Sequence, residues 1–343
     1  MLTIMTNTTI APFTRVGLQI PNFTYPGVAD ADLFDTVARA AQSAERAGAD
    51  SVFVMDHFFQ LPMLGPASYN MFEAYTLLGA LAARTSTVRL GTLVTGVTYR
   101  HPGVLAKQVT TLDVISGGRA LLGIGAAWHD VEHRALGVPF PPLRERYEHL
   151  EDALRICRAM FTEDQSSVTG THHSTEGAWN HPAPLQASGP RIMVGGSGEQ
   201  VTFRLAAQYA DELNIIATIS ELPRKLDALH GHLDRLGRDR DDVKVSALLF
   251  CVVGDDDADV DAQLAELQTR AAGGDDRALQ ANPSRPPEVG ERIIAGTPEQ
   301  VTETFQKLFA LGLDGIVINL PSRGHDPAYA ERAITALRTA ADG

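Results

Sequence analysis

Apolar runs of strand length alternate with amphipathic stretches of helix length along most of this chain. This alternation is typical of a parallel sheet whose strands are joined by helical crossovers. The apolar runs predict eight strands, at residues 15–20, 51–55, 88–95, 120–124, 191–194, 212–216, 244–252 and 315–319. The amphipathic stretches predict helices at residues 32–47, 73–85, 102–116, 144–161, 200–210, 222–236, 257–271, 298–311 and 328–341.

Eight strands with helical crossovers fit an α/β fold of the closed (β/α)8 type, the TIM barrel, and a doubly wound open sheet is the alternative. Three junctions share one pattern, in which a predicted helix ends, an Asp follows and a predicted strand begins: AGADSVFV, QYADELNII and GLDGIVI. Because such turns are common in α/β proteins, the pattern supports the fold class more than the number of strands. A chain of 343 residues with 44% hydrophobic content can bury a large core. We expect one domain over residues 1–343, with an N-terminal tail at 1–13.

Two stretches interrupt the alternation and are interpreted as insertions at the C-terminal rim of the barrel. Residues 162–188 contain VTGTHHST, which predicts a hairpin over one end of the barrel. Residues 272–296 show neither helical nor strand periodicity. Insertions at this rim usually shape the substrate opening, although a disordered surface loop is an equal alternative for the second.

Composition limits the partners and the compartment. The formal charge of −13 argues against a nucleic-acid partner, which needs a basic face. The first twelve residues contain neither a basic leader nor a long apolar run, so we expect no secretion signal and no membrane partner. Cys157 and Cys251 lie far apart and predict buried thiols in a reducing compartment, the cytoplasm.

No metal site is predicted. The eleven histidines include a pair at His172 and His173, but no His or Cys pair at ligand spacing has a nearby carboxylate in a convincing helix or hairpin. We interpret the histidine pair as a polar hairpin tip.

Loops that could carry chemistry follow several predicted strands, and the carboxyl ends of barrel strands share one rim. In LGIGAAWHDVEH, at residues 122–133, Gly123 and Gly125 remove side chains where a flat or phosphorylated ligand could lie against the backbone. Asp56 and His57 end the second strand, where a histidine could exchange a proton near neutral pH and the neighbouring acid could orient it. The alternative is an Asp that caps the next segment and a His that stacks in the loop.

GGSGEQ, at residues 195–200, precedes a predicted helix. Consecutive glycines and a serine at a helix N-terminus suit a phosphate, and a glycine-rich turn without a ligand is the alternative. The spacing matches neither a Walker P-loop nor a GxGxxG dinucleotide turn, and the chain has no GxSxG elbow.

Five segments occur in order across most of the chain and together carry a resemblance. They are VMDHFFQLP, LGTLVTGVTYRHP, the stretch from TLDVISGGRALLGIGAAWHDVEH through RERYEHLEDALRI, IMVGGSGEQ and GTPEQV. The chain resembles the bacterial luciferase-like superfamily, and within it the actinobacterial branch of coenzyme F420-dependent oxidoreductases. The resemblance implies a TIM barrel, a flavin or deazaflavin at the C-terminal rim, and hydride transfer.

The resemblance also implies roles for individual residues. Asp56 and His57 match the catalytic pair that flanks the deazaflavin ring, with His57 as the proton donor or acceptor. Leu93 and Val94, followed by Thr95, match a bulge that often holds a non-prolyl cis peptide against the back of the ring. The loop that meets ring and substrate corresponds to Gly125, Ala126, Ala127 and Trp128. The phosphate-binding turn corresponds to Gly195, Gly196 and Ser197.

One position departs from the best-understood members of the superfamily. In its deazaflavin-dependent sugar-phosphate dehydrogenases, a glutamate acts as an acid where this chain has Trp128. This departure argues against sugar-phosphate oxidation. A tryptophan there would favour a flat or apolar substrate or wall off the ring, and we interpret it chiefly as structural filling.

The function predicted from the sequence is hydride transfer between C5 of F420 and an unidentified small organic substrate. The main alternative is an FMN-dependent monooxygenase that receives reduced flavin from a separate reductase and uses molecular oxygen. A protein that binds flavin without turnover is a third hypothesis. The acidic oligoglutamate tail of F420 fits poorly with a charge of −13, for which Arg100 and Lys107 could compensate locally or simply be surface charges. By resemblance we expect a homodimer.

Overall fold

The structure is a computed structural model that describes residues 10–272 and 290–343. Eight parallel strands form the central sheet: β1 (Val16–Ile20), β2 (Ser51–Val54), β3 (Arg89–Thr92), β5 (Ala120–Gly125), β8 (Arg191–Gly196), β9 (Glu212–Ile215), β10 (Lys244–Val253) and β12 (Gly315–Asn319). Each strand pairs with the next in this order, including β9 with β10, and β12 pairs with β1, so the sheet closes into a barrel. The predicted TIM barrel and all eight predicted strands are confirmed, and the open sheet is excluded.

Among the residues that the structure describes, four further short strands accompany the barrel: β4 (Thr95–Gly96), β6 (Gln165–Val168), β7 (Thr175–Trp179) and β11 (Ile293–Gly296). The two-residue β4 continues β3 and pairs with β5, while β11 pairs with the carboxyl half of β10. Strand β11 lies inside the segment 272–296, for which we predicted no regular element. It was missed because four residues are too few to show an alternation. Residues 273–289 of that segment lie outside the described residues.

The nine predicted helices are all present, with bounds that differ by at most three residues. A tenth, the short α4, was missed because seven residues span too few turns to show a helical period. The helices are α1 (Leu33–Arg46), α2 (Ala74–Ala82), α3 (Pro102–Ser116), α4 (Asp130–Leu136), α5 (Leu143–Thr162), α6 (Thr202–Tyr209), α7 (Leu222–Leu236), α8 (Asp257–Ala272), α9 (Pro298–Phe309) and α10 (Pro327–Asp342).

The inside of the barrel is filled in layers. Near the amino ends of the strands, Arg89 and Arg191 donate to the buried Glu212, over 3.2 and 2.9 Å. Above this polar layer lies an apolar one, formed by Phe53, Leu93, Leu121, Met193, Leu248 and Val317. These layers close the barrel from below, so that a ligand can enter only at the carboxyl ends of the strands.

The insertion at 162–188 forms the expected hairpin, from β6 and β7, but it does not cover the barrel opening. Its base is held between α3 and α5, where Asn180 donates to Thr110 Oγ1 and to the Met160 carbonyl, both over 2.8 Å. Its tip reaches the start of α3, where the His173 and His101 ring centroids are 5.0 Å apart. The hairpin therefore runs along the outer wall, and it contributes no residue to the lining of the central cavity.

The structure bears on two expectations drawn from composition. Cys157 and Cys251 are free and buried, as predicted. Within the described ranges, every helix is too short or too polar to cross a bilayer.

Candidate active site

A cavity of about 520 Å³ opens at the carboxyl ends of the barrel strands. Its walls come from strand ends and the loops that follow them, as expected for a TIM barrel. All twelve residues predicted for the site border it: Asp56, His57, Leu93, Val94, Thr95, Gly125, Ala126, Ala127, Trp128, Gly195, Gly196 and Ser197.

The His57 ring is held by a glutamate that the sequence analysis did not single out. His57 Nδ1 lies 2.7 Å from Oε1 of Glu132, whose side chain on α4 is completely buried. Glu132 Oε2 accepts the backbone N–H groups of Phe58 and Phe59, over 2.9 and 3.2 Å, and the Tyr99 hydroxyl donates to Oε1. These contacts fix the orientation of the imidazole.

The charge state of Glu132 determines what His57 can do. Burial alone would raise the pKa of Glu132, but the hydrogen bonds from His57, Tyr99 and Phe58 lower it to about 2. The carboxylate is therefore ionised at neutral pH and can only accept, so His57 Nδ1 carries the donated hydrogen. His57 Nε2 makes no hydrogen bond to any described residue and remains available to a ligand.

Asp56 is engaged in a different way. Its two oxygens accept from Nη1 and Nη2 of Arg100, over 2.6 and 2.9 Å, and Gly96 N–H also donates to Oδ2. Burial raises the pKa of Asp56, and the Arg100 guanidinium opposes that rise. Arg100 also donates to Glu73 over 2.7 Å. The expectation that Asp56 orients His57 is therefore not met, because Glu132 occupies that place.

The floor of the cavity contains a chain of amides. The peptide bond between Leu93 and Val94 is cis, as the resemblance implies. The Leu93 carbonyl accepts from Gln19 Nε2 over 2.6 Å, and Gln19 Oε1 accepts from Asn319 Nδ2 over 2.9 Å. Asn319 borders the cavity, and its buried Oδ1 has no partner among the described residues. A buried acceptor without a partner calls for a donor, which a bound ligand can provide.

The glycines of β5 and β8 make room for protein atoms. A Cβ on Gly123 would lie 1.9 Å from the Thr92 carbonyl oxygen, so this glycine serves strand packing and not a ligand, contrary to our expectation. A Cβ on Gly195 or Gly125 would lie 2.5 or 2.9 Å from the methyl groups of Val94. The two glycines therefore allow Val94 to project between the two strand ends.

The proposed phosphate turn, Gly195 to Ser197, lies at the far side of the cavity. The helix after it begins at Thr202, later than predicted. The Thr202 and Tyr147 hydroxyls, 3.1 Å apart, border the cavity beside the turn. The buried Lys225 donates to the Ser197 carbonyl over 2.9 Å and to Glu199 Oε1 over 3.3 Å, so it holds the turn in place.

The loop after β5 is held in an uncommon conformation. Ala127 has a φ of +57°, in the left-handed region, and Arg146 donates to the carbonyls of Ala126 and Ala127. The next residue, Trp128, is 40% exposed and meets His57 edge-on, with the ring centroids 5.6 Å apart. Trp128 therefore does not fill the core, contrary to our interpretation, but forms part of the wall at the mouth of the cavity.

Neither cation suggested for an acidic tail lines the cavity. Arg100 is paired with Asp56, and Lys107 donates to the His181 carbonyl on the outer wall. Among the described residues that border the cavity, Arg292 is the one Lys or Arg, and its buried Nε has no partner among them. Its Cζ lies 5.7 Å from the centroid of the Phe250 ring, and Phe250 belongs to one apolar cluster with Met55 and Leu61.

A family model described as luciferase-like monooxygenase matches residues 14–315 of the chain. The F420-dependent glucose-6-phosphate dehydrogenase of Microbacterium testaceum (strain StLB037) is 36% identical over 206 residues, which cover 58% of this chain and 59% of that protein. The match thus spans about three fifths of that relative.

A second relative is covered more fully. The F420-dependent hydroxymycolic acid dehydrogenase of Mycobacterium tuberculosis is 31% identical over 258 residues, which cover 73% of this chain and 69% of that protein. Among solved structures, an F420-dependent secondary alcohol dehydrogenase in complex with an F420–acetone adduct matches with a TM-score of 0.77 at 20% identity. That match covers 96% of this chain and 99% of the other, and it shows a shared fold.

Proposed function

This chain belongs to the luciferase-like monooxygenase family, and from that premise we propose that it is an oxidoreductase that transfers a hydride between coenzyme F420 and a small organic substrate. The observation that carries the proposal is the His57–Glu132 pair. It places an imidazole of fixed orientation, with Nε2 available, at the wall of a cavity of about 520 Å³. Such a group can donate or accept the proton that must accompany a hydride.

The residues of the cavity fit the cofactor. The unpartnered Asn319 Oδ1 offers an acceptor at the floor, and the hydroxyls of Ser197, Thr202 and Tyr147 offer donors for a phosphate at the far side. Asp56, Leu93, Val94, Thr95 and the loop from Gly125 to Trp128 would hold the ring, and Gly195 to Ser197 the phosphate. When bound, F420 supplies a carbon centre that carries two electrons as a hydride.

The protein's own part in the reaction is to manage a proton. His57 Nε2 would bind the substrate heteroatom that gains or loses the proton. Glu132 would stabilise the imidazolium, because its carboxylate is buried and ionised beside Nδ1. Trp128 would cover the mouth of the cavity and limit the entry of water.

Asp56 has a positioning role in this proposal. Both of its oxygens are already bound by Arg100, so neither is available to exchange a proton with the substrate. Its bond to Gly96 N–H instead fixes the segment after the cis peptide relative to the end of β2.

The walls of the cavity also bear on the kind of substrate. Met55, Leu61, Leu64 and Phe250 form an apolar face at one side, and Arg292 stands at its edge. A small molecule with an apolar body suits this face, and Arg292 could accept an anionic group of the substrate or the acidic tail of F420.

The experiment that tests the proposal is a titration of the purified protein with F420 and, separately, with FMN, followed by ligand fluorescence. We expect saturable binding of F420 and weaker binding of FMN. Ser197→Asp should weaken F420 binding because it places a negative charge in the phosphate turn. The matched control is Ser188→Asp, at an exposed serine outside the cavity, which should bind like the unaltered protein.

Tight binding of FMN without binding of F420 would contradict the proposal and favour the FMN-dependent monooxygenase. Binding of F420 without hydride transfer to any of a broad panel of alcohols, ketones and imines would favour a binding protein without turnover.

The proposal also includes a cytoplasmic homodimer. Two free, buried cysteines are consistent with a reducing compartment. Exposed apolar side chains at Val104 and Ile115 on α3 and at Trp179 on the hairpin would suit contact with a second copy. Size-exclusion chromatography with light scattering should give the mass of two chains, and the mass of one chain would contradict the dimer.

A further inference from the structure

Six histidine and glutamate side chains meet on the outer wall of the barrel, away from the cavity. We refer to them as the His–Glu cluster: His101, Glu145, Glu148, His149, His172 and His173. Helix α5 provides three of them, the tip of the β6–β7 hairpin two, and the start of α3 one. None borders the cavity, so the proposed function does not use them.

Three of these side chains converge at the spacing of metal ligands. One ligand atom each from Glu145, His149 and His172 lies within 4.8 Å of the other two. Glu145 and His149 are one helical turn apart, with Oε1 3.7 Å from Nε2. Zinc bonds of about 2.0 to 2.2 Å in a tetrahedron separate ligand atoms by roughly 3.3 to 3.6 Å. Movements of about 1 Å would complete the site, and these partly exposed side chains have room for them.

The imidazoles already have partners that would orient them toward an ion. His149 Nδ1 lies 2.8 Å from His173 Nε2, so an ion on His149 Nε2 would leave Nδ1–H to donate to His173. His172 Nε2 lies 2.8 Å from Glu148 Oε2, which could orient that ring or take a fourth position at the ion. Partners of this kind are usual behind the histidine ligands of metal sites.

The loop that presents the two hairpin histidines is fixed before any ion binds. Asp152, one turn after His149 on α5, accepts the backbone N–H groups of Thr171, His172 and His173, over 3.0, 2.7 and 3.0 Å. A Cβ on Gly170 would lie 2.2 Å from the His173 carbonyl oxygen and 2.4 Å from Asp152 Oδ1. The loop therefore needs a glycine there, and its ordering does not have to accompany metal binding.

We propose that Glu145, His149 and His172 bind a divalent transition-metal ion, of which Zn²⁺ is the first candidate. Imidazole and carboxylate ligands suit Zn²⁺ and its neighbours Co²⁺, Ni²⁺ and Cu²⁺ better than Mg²⁺ or Ca²⁺, which prefer oxygen ligands alone. The ion fastens the hairpin tip to the start of α5. Since Leu143 and Tyr147 on the same turns of α5 border the cavity, it also steadies one cavity wall.

No metal site is predicted from the sequence because the three ligands do not come from one element: Glu145 and His149 are on α5, whereas His172 is on the hairpin. The carboxylate that His172 needs is on α5, which precedes the hairpin, and not beside the histidine pair. The fold brings them together only because the hairpin doubles back along that helix.

The test uses the full chain, without a polyhistidine tag and stripped with a chelator, titrated with ZnCl₂ by calorimetry. We expect one Zn²⁺ per chain. His173→Ala, which removes only the partner of His149, should weaken binding roughly 10-fold. The double variant His149→Ala/His172→Ala should weaken it further, to the level of unspecific binding. Titration with Co²⁺ should give visible absorption bands with the wild-type chain and none with the double variant.

Two controls separate this site from other histidines. His181→Ala alters an exposed histidine of the same insertion that has its own carboxylate, Asp164, and it should leave binding unchanged. His57→Ala, in the cavity, should also leave it unchanged. Circular dichroism establishes that each variant is folded, and Zn²⁺ should raise the Tm of the wild-type and His181→Ala chains but not of the double variant.

The absence of saturable binding by the wild-type chain would overturn the proposal. Binding that survives in the double variant, or that is lost in His57→Ala, would place the ion elsewhere and overturn it equally. If the double variant does not fold, Glu145→Gln replaces it, and unchanged Zn²⁺ affinity in that variant would count against the proposal.

Discussion

Two buried carboxylates support one side of the cavity, Asp56 in its lining and Glu132 behind His57, and the protein uses them in opposite ways. Asp56 faces Arg100, a permanent cation that binds both of its oxygens. Glu132 faces His57, whose second ring nitrogen, Nε2, makes no hydrogen bond to a described residue. In the first pair both carboxylate oxygens are bound by the guanidinium, whereas in the second the imidazole keeps one nitrogen for a ligand.

The difference teaches which pair can take part in proton transfer. The Glu132 carboxylate remains ionised because it accepts hydrogen bonds from two backbone N–H groups and the Tyr99 hydroxyl, in addition to the one from His57. His57 Nδ1 donates to this carboxylate, and Nε2 on the other side of the ring is left for a substrate. In the Asp56–Arg100 pair both carboxylate oxygens are bound by a permanent cation, and we expect this pair to support the shape of the site.

The largest effect on stability is expected at the Asp56–Arg100 pair. Arg100→Met would leave Asp56 and Glu73 without their cation and should lower the free energy of unfolding by about 3 to 5 kcal/mol. Urea unfolding followed by circular dichroism measures the loss. Arg84→Met, which breaks the exposed pair with Asp35, is the control and should cost less than about 1 kcal/mol. Equal losses in the two variants would show that the Asp56–Arg100 pair is not structurally special.

A smaller and pH-dependent effect is expected at the other pair. Because folding lowers the pKa of Glu132 from 4.5 to about 2, its charge stabilises the fold above pH 4.5, and the contribution is lost as the pH falls toward 2. Glu132→Gln should therefore lower the free energy of unfolding by roughly 2 to 3 kcal/mol at pH 7. The difference from the wild type should shrink in urea titrations between pH 5 and pH 3, and a difference that stays constant would contradict the assignment.

The Tyr99 hydroxyl tests the support of Glu132 from another side. Tyr99→Phe removes one hydrogen bond to the buried carboxylate and should cost about 1.5 kcal/mol in thermal unfolding. Combined with Glu132→Gln, the loss should be clearly less than the sum of the two single losses, because both variants break the same contact. Full additivity would mean that the hydroxyl acts independently of Glu132.

The smallest effect on stability is expected at Trp128. Since its side chain is 40% exposed at the cavity mouth, Trp128→Ala should change the free energy of unfolding by less than about 0.5 kcal/mol while raising the KM for substrate. Phe23→Ala, at a fully buried ring, provides the comparison and should cost about 3 to 5 kcal/mol. A similar loss in the two variants would restore the interpretation of Trp128 as core filling.

The barrel could be predicted because its evidence is local. Each strand is an apolar run that can be recognised by itself. The carboxyl ends of barrel strands share one rim, and together with the resemblance this rule places residues such as His57, Val94 and Gly195 at one cavity. The same dependence on local patterns explains which parts were missed. Glutamate is rarely buried unless it is paired, so nothing in DVEH pointed to a buried Glu132, and its seven-residue helix was too short to recognise.

Other parts depend on distant contacts that no pattern in the sequence records. The amide chain from Gln19 to Asn319 joins the first and last barrel strands. Arg292 lies beside a four-residue strand in a segment without periodicity. The Gly123 interpretation was wrong for the same reason, since the space it leaves is taken by the carbonyl of a neighbouring strand.

The central claim is that His57, held by Glu132, exchanges the proton of an F420-dependent hydride transfer. Its most direct test is the single-turnover rate of hydride transfer at saturating F420 in wild-type and His57→Asn chains, with any substrate that the wild type turns over. We predict a rate about 100- to 10,000-fold lower in the variant, while the Kd for F420 changes little. An unchanged rate with unchanged F420 binding would contradict the claim.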